Sequence, residues 1–282
     1  MQKLLVIAGS GSYPEYLIKG ARKAGVEHIS LLAIRGMTSR RIQTLADETF
    51  RAGIGEGARY YRWIQESGFT HGIMVGQIRP LALFRTRFDT VSRGWLKELP
   101  RKNAHTIFGK VASLLEENGI KVLPASSYMD DCLPGTGLLT NRKLDEREQA
   151  DIDFGHKIAS EICGLDIGQT LVVKDGAILA VEALEGTNKT ILRGGRLGGK
   201  GAVVVKVAVD NHDMRFDIPV AGIKTISKLK RAGISALAFQ AGRLIMLDRE
   251  KVIRKANRMG IAIIGIDSGL PQAPTRPGKS DE

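Results

Sequence analysis

The residues best suited to chemistry in this sequence are acidic. Glu182, Glu185, Asp210, Asp213 and Asp217, with His212 among them, flank strand-like segments of an otherwise basic chain. Carboxylates suit a hard dication such as Mg²⁺ or Mn²⁺, and such an ion can orient a diphosphate and activate water for in-line displacement. The same spacing also suits solvated acids at strand ends. A second group is Gly9-Ser10-Gly11 in IAGSGSYP, after a strand and before a helix. Glycines there let backbone N–H groups approach a phosphate at the positive end of a helix. The dinucleotide fingerprint GxGxxG is incomplete, because Pro14 stands at the third glycine position. The second strand closes on Ile34-Arg35-Gly36 rather than on an acid for a ribose. An Arg there suits NADP, so an NADP-dependent oxidoreductase stays open beside a Gly-rich turn that holds no ligand.

Other chemistries are excluded by what the motifs lack. GGRLGGKG, from Gly194 to Gly201, nearly spells a phosphate loop. Gly201, however, takes the place of the Ser or Thr, and a strand follows instead of a helix. The segment reads as a surface loop or as a flexible cover that brings Arg193, Arg196 and Lys200 near phosphates. The five histidines form no HExxH pair and there is no GxSxG elbow, which argues against zincin and serine-hydrolase chemistry. Cys132 and Cys163 are in no CxxC pair and read as structural thiols.

The elements that must position these residues alternate. KLLVIA, HISLLAI (28–34), THGIMVGQ (70–77) and IKVLPAS (120–126) are apolar runs separated by helical stretches, which predicts a doubly wound parallel sheet of Rossmann-like type over 1–132. Residues 133–150 mix Pro, Gly, Thr and charge, and read as a linker. From 151 to 268 the pattern predicts a mixed α/β domain: a helix from the ADIDF segment, then two strands around Asp175-Gly176, an Asp-Gly hairpin signal. Strand 202–209, helix 223–232, strands 236–240 and 243–248, helix 249–258 and strand 261–266 follow. The tail, 269–282, reads as flexible.

With 282 residues, 43% hydrophobic and 26% charged, the chain can bury a full core. Its apolar runs are shorter than the roughly 20 residues of a spanning helix, and a signal-peptide pattern is not seen, so a cytoplasmic protein is expected. The 42 Lys and Arg against 30 acids give a formal charge of +12 and point to a polyanionic partner. With 5% aromatic residues, a base-stacking platform is not expected, and nucleic acid is set aside.

Two longer segments narrow the reading. DIGQTLVVKDGAILAVEALEGTN (166–188) and DMRFDIPVAGIKTI (213–226), with IAGSGSYP, GIGEGAR and VGQIRPLALF upstream, closely resemble the UDP-2,3-diacylglucosamine pyrophosphatases of lipid A biosynthesis, the type distinct from the calcineurin-like enzymes. The resemblance runs over essentially the whole chain. It implies two α/β-type domains holding a lipid-linked nucleotide sugar, and a divalent metal with water splitting its diphosphate into UMP and 2,3-diacylglucosamine 1-phosphate. The essential Asp of the Arg-x-Asp-[Leu/Ile/Val]-Pro signature falls on Asp217. The resemblance implies Asp217 and Asp213 as catalytic groups, with Asp217, Asp213 and Glu182 as metal ligands for Mg²⁺ or Mn²⁺. It implies substrate binding by Gly9, Ser10, Gly11, Gly76, Gln77, Glu185, Gly186, Thr187, Asn188, Lys206, Arg215 and Thr225, with Arg215 and Lys206 balancing phosphate charge. Asp217 could alternatively be a turn-forming carboxylate ahead of Pro219 and the helix from Ile223.

Four positions depart from the family's usual signatures. Asn188 replaces an Asp, Val209 a Lys, His212 a Gln and Gln240 a Glu. An amide in place of a carboxylate removes a full charge and weakens the hold on a hard dication. Hydrolysis of the lipid-linked nucleotide sugar is expected, with a ligand-binding paralogue of altered or lost activity as the alternative. An acylated substrate and a basic chain also predict peripheral, reversible association with an anionic inner-leaflet surface. A homodimer stays open.

Overall fold

The structure, a computed structural model, describes residues 3–78, 86–101, 104–208, 213–216, 218–267, 269, 273 and 274. The chain forms two compact units. One holds the described residues up to Met129 together with Met214–Phe216 and Pro274, and the other holds Asp130–Asp213 and Ile218–Ala273.

The first unit is built on β1 (Lys3–Ala8), β2 (His28–Ile34), β3 (Glu48–Ala52), β4 (His71–Val75) and β5 (Lys121–Val122). These strands are parallel and lie in the order β3-β2-β1-β4-β5. KLLVIA and HISLLAI are nearly unbroken apolar runs because a parallel sheet is covered on both faces. The helices are α1 (Tyr13–Lys23), the short α2 (Arg40–Gln43), α3 (Gly57–Glu66), α4 (Thr90–Lys97) and α5 (Ala104–Glu117). Leu5, Leu32 and Met74 of the sheet form one core with Ile64 of α3 and Leu115 of α5, while α1 buries Leu17, Ile18 and Ala21. The strand β3 was not foreseen, since ETFRA lacks a clean apolar alternation. Its partial burial comes from pairing with β2.

The second unit has a mixed six-stranded sheet in the order β6-β13-β11-β9-β7-β8. Its members are β6 (Gly137–Leu138), β7 (Thr170–Lys174), β8 (Ala177–Val181), β9 (Val203–Lys206), β11 (Ala236–Gln240) and β13 (Ala262–Ile266). A separate parallel pair joins β10 (Val220–Ala221) to β12 (Ile245–Met246). Strands β9, β11 and β13 run parallel, whereas β6, β7 and β8 pair antiparallel to their neighbours. The hairpin turn expected at Asp175-Gly176 is present, with φ of 51° and 72° at the two residues. One sheet face packs on α6 (Glu146–Gly164) through Ile152, Ala159 and Cys163. The other packs on α7 (Thr187–Gly198), α8 (Ile223–Arg231) and α9 (Arg249–Met259) through Ile191, Ile226, Leu229, Val252 and Ala256.

Several expectations are corrected here. Residues 133–150 are not a linker. Leu138 and Gly137 pair with Ile264 and Gly265 of β13, and Asp145 and Glu148 form a reciprocal capping box at the start of α6. The charges that looked solvated are used locally: Arg142 bonds the buried Glu148 at 2.7 Å. GGRLGGKG is not a cover loop through its first half, because Gly194–Gly198 are the last residues of α7. A Cβ on Gly194 would stand 2.6 Å from the Val172 side chain, so the glycine permits close helix-to-sheet packing. Of the tail, Ala273 is buried and its N–H bonds the Gly242 carbonyl; residues 275–282 lie outside the described residues. Among the described residues, no helix is long and apolar enough to cross a membrane.

Candidate functional site

In the first unit, the sheet order places β2 and β4 on opposite sides of β1, so the chain direction of winding reverses there. Ligands of open α/β sheets bind at the carboxyl ends of strands flanking such a reversal. The two loops at this point are zipped together. Gly9 N–H donates to the Val75 carbonyl at 2.8 Å, Ser10 and Gln77 exchange backbone bonds of 2.8 and 2.9 Å, and the Ser10 hydroxyl also donates to the Gln77 carbonyl at 2.8 Å. A Cβ on Gly9 would sit 2.7 Å from the Gln77 carbonyl oxygen, so no other residue fits without moving backbone. Gly76 has φ of +91°, and a Cβ there would stand 2.9 Å from the Ser10 carbonyl oxygen and 3.0 Å from the Gly9 carbonyl carbon, which fixes the second loop. Gly11 has φ of +95° with open space around it, and it leads through Ser12 into α1. Gly9, Ser10, Gly11, Gly76 and Gln77 thus lie together at the carboxyl ends of β1 and β4.

An apolar pocket lies against the same loops. Gly9 and Gly76 line it along with Met74, Trp95, Phe108 and Phe216. Tyr60 lines it too; burial, with a smaller push from Asp89, raises its phenol to about 12, so it stays neutral. Phe216 is the aromatic residue of the Arg-Phe-Asp-Ile-Pro signature. Its ring sits 5.4 Å from His105 and 5.8 Å from Phe108, in the first unit. Its neighbour Arg215 bonds Glu116 of α5 at 2.8 Å, a partly exposed ion pair within the first unit. Arg35, the residue that suited NADP, pairs with Glu56 at 2.8 Å.

In the second unit, the corresponding edge is made of side chains. Register places Thr170, at the start of β7, opposite Lys206, at the end of β9, with Glu182 just past β8. Lys206 is 5% exposed. Its ammonium donates to the Thr170 hydroxyl at 3.2 Å and the Thr187 hydroxyl at 3.1 Å, and lies 4.0 Å from Glu182 Oε2. Thr187 in turn donates to Glu182 Oε1 at 2.8 Å, while Glu182 Oε2 is buried without a hydrogen-bond partner. Gly186, with φ of 80°, starts α7 without a side-chain cap, so the first N–H groups of α7 open beside a buried cation. A helix N-terminus with a lysine at its side favours an anionic oxygen.

The other expected residues fall differently. Glu185 accepts from Arg193 at 2.5 Å and from the Thr190 hydroxyl at 3.3 Å, and the Arg193 bond holds its carboxyl below the usual range. It ties the Gly186 turn to its own helix, with its side chain partly exposed. Asn188 is exposed on the first turn of α7. Thr225 accepts from Gly222 N–H at 3.3 Å and caps α8. Asp213 belongs to the second unit, and Asp217, Asp210, Val209 and His212 lie outside the described residues. Gln240, singled out as a departure, proves structural. Its Oε1 accepts from Ala208 N–H at 2.6 Å and its Nε2 lies 3.2 Å from His156 Nε2, while Arg243 holds the Ala208 carbonyl at 3.0 Å. Burial lowers the His156 pKa, which suits a neutral ring accepting from the amide. Thr170, His156 and Arg243 were missed; only the register of β7 against β9 would have exposed Thr170.

A divalent metal finds little support among these side chains. Among the described residues, no three His, Cys, Asp or Glu are placed to hold one. Glu182 already faces the Lys206 ammonium, whose charge opposes a dication there. The described residues do not by themselves supply three ligands for a metal, and no chemical step below is routed through one.

One α/β unit thus has a glycine-lined edge beside an apolar pocket, and the other a buried Lys-Thr-Glu edge. Residues 3–132 match the model of the LpxI N-terminal domain, and residues 135–264 that of the LpxI C-terminal domain. The chain belongs to the LpxI family. It is 30% identical over 290 residues to UDP-2,3-diacylglucosamine pyrophosphatase LpxI of Caulobacter vibrioides, covering 95% of this chain and 98% of that protein. Among solved structures, the biotin carboxylase subunit of pyruvate carboxylase matches 70% of this chain and 41% of its own at 14% identity and a TM-score of 0.29. The biotin carboxylase domain of the Hydrogenobacter thermophilus 2-oxoglutarate carboxylase matches 63% and 36%, at 17% identity and 0.27. In both cases the chain spans less than half of the solved protein.

Proposed function

We propose that this chain hydrolyses the diphosphate bond of UDP-2,3-diacylglucosamine, giving UMP and 2,3-diacylglucosamine 1-phosphate in lipid A biosynthesis. The observation that carries the reading is the end-to-end relationship to the Caulobacter pyrophosphatase, over 95% of this chain and 98% of that one. The geometry supports it. The apolar pocket of the first unit suits acyl chains, and the strand order β3-β2-β1-β4-β5 supports a Rossmann-like reading of that unit, with Gly9, Ser10 and Gly11 meeting the polar part of the ligand through backbone.

In the reaction, water oxygen bonds to one phosphorus, the bridging P–O bond breaks, and the departing phosphate keeps the bonding pair. Negative charge grows on the bridging and terminal oxygens. We assign its stabilisation to Lys206 and the first N–H groups of α7; the threonine bonds that hold the ammonium and the uncapped helix start support this. Two of the three Lys206 donors are taken by threonine hydroxyls, which orient the ammonium and leave one donor for the ligand. Asp217, with Asp213, is the group we assign to orienting the attacking water and accepting its proton. Dependence on Mg²⁺ or Mn²⁺ and association with the inner-leaflet surface belong to the same proposal.

Purified protein and its Asp217→Ala variant, incubated with UDP-2,3-diacylglucosamine and followed by mass spectrometry, test the reading. UMP release by the parent and its loss in the variant is the expected result, and an EDTA arm reads the metal part. A parent that binds the substrate without releasing UMP would overturn the hydrolase in favour of a binding paralogue.

A further inference from the structure

We propose that the α8–α9 pair of the second unit is a docking face for an anionic phospholipid bilayer. Residues 223–259 carry ten Lys and Arg against two acids, and so hold eight of the chain's twelve net positive charges. The helical period sorts these cations into stripes. Lys251, Arg254, Lys255 and Arg258 recur at i, i+3, i+4 and i+7 of α9, and with Ile223 of α8 they line a shallow groove. Lys224, Lys228 and Arg231 recur at i, i+4 and i+7 of α8, opposite its buried Ile226 and Leu229.

The stripes are held side by side. Lys255 donates to the Ser227 hydroxyl at 2.5 Å and Lys230 to the Met259 carbonyl at 3.3 Å, tying one helix to the other. Lys224, Lys230, Arg231, Lys251, Arg254 and Arg258 are all exposed. The two acids pair on the rim, Asp248 with Lys251 at 3.2 Å and Glu250 with Arg254 at 3.3 Å, in exposed contacts that barely reduce the field.

The chemistry of the face selects its occupant. The buried apolar residues Ile226, Leu229, Val252 and Ala256 of the two helices are used in the core, and the exposed residues of the face are dominated by cations, so the face adsorbs chiefly by charge. Neither helix carries a Phe, Tyr or Trp, which removes the stacking surface that single-stranded nucleic acid needs. The choice of a bilayer rests on the hydrolase reading, because a diacylated substrate is presented in one.

The test is co-sedimentation of the full chain with phosphatidylcholine vesicles, with and without about 30% phosphatidylglycerol, at low and high salt. One variant reverses five cations of the face: Lys224→Glu, Arg231→Glu, Lys251→Glu, Arg254→Glu and Arg258→Glu. A control reverses five exposed cations of the first unit: Arg40→Glu, Arg51→Glu, Arg62→Glu, Arg93→Glu and Lys121→Glu. Circular dichroism and thermal unfolding check that both fold, and a second set with Gln at the same five face positions stands in if reversal unfolds the chain. Wild type is expected to bind anionic vesicles alone and to release them at high salt. The face variant is expected to lose about a hundredfold in affinity, at roughly fivefold or less per cation, and the control to lose far less. Equal losses in the two variants, or a wild type that ignores vesicles while binding duplex DNA, would overturn the proposal. UMP release from detergent-dispersed substrate in the same preparations reads the hydrolase separately: the binding pattern without UMP from any preparation upholds the face and rejects the hydrolase.

Discussion

The functional edges of the two units are built in opposite ways. At the first edge the contacts are backbone, and the side chains of Gly9, Gly11 and Gly76 matter by being absent. At the second they are side chains, with the buried Lys206 held by Thr170 and Thr187 beside Glu182. A backbone edge fixes position and resists substitution only where a Cβ would collide. A side-chain edge places a full charge in a poorly solvated setting, where one substitution changes the chemistry. Under the proposed hydrolase reading, the first unit would hold the ligand and the second would carry out bond cleavage.

The sharpest way to break this contrast is Lys206→Met. It should lower kcat/KM for UMP release by about 10²–10³-fold, the usual effect of removing one group that stabilises developing charge. A loss below tenfold would move the chemistry elsewhere. Gly9→Val comes next. Its new side chain meets the Gln77 carbonyl, and the collision should cost about 1–3 kcal/mol in urea unfolding, while Ser10→Ala costs under about 1 kcal/mol. Equal effects would mean that the Ser10 side chain, not the backbone, makes the edge.

Filling the pocket with Val111→Trp should raise KM for the diacylated substrate about tenfold while leaving inhibition by UDP unchanged. A parallel rise in both would show that the pocket does not see the acyl chains. The smallest expected effect is one of pH and stability. Burial pushes the Glu148 carboxyl up, but hydrogen bonds from Arg142, Ser235 and the Asp145 N–H outweigh it and leave it lowered. Its contribution is therefore complete above the ordinary glutamate range and is lost as pH falls through the lowered value. Glu148→Gln should cost about 1–3 kcal/mol near neutrality and flatten the acid limb of the stability curve, as read by thermal unfolding across pH. An unchanged acid limb would detach this ion pair from the stability of α6.

Much of this was legible in the residues. The apolar runs of β1, β2 and β4 announced a parallel sheet, and the Gly-rich turn after β1 announced its edge, because both are local signals. Asp175-Gly176 gave its hairpin for the same reason. What failed was non-local. Residues 133–150 looked like a linker because the partners of Leu138 and Arg142 lie far along the chain or are buried within the next helix. At the site, Lys206, Thr187 and Glu182 were each named from the sequence, but that they bond one another needed the register of β7 on β9. The ion-pair partners of Arg215 and Glu185, namely Glu116 and Arg193, could not be read from the sequence because they carry no motif.

The most direct test of the central claim is to run the reaction of UDP-2,3-diacylglucosamine in ¹⁸O-labelled water and weigh the products. Hydrolysis of the diphosphate predicts equal amounts of UMP and 2,3-diacylglucosamine 1-phosphate, with one labelled oxygen in one of the two. Intact substrate, or products in which neither phosphate carries the label, would contradict it.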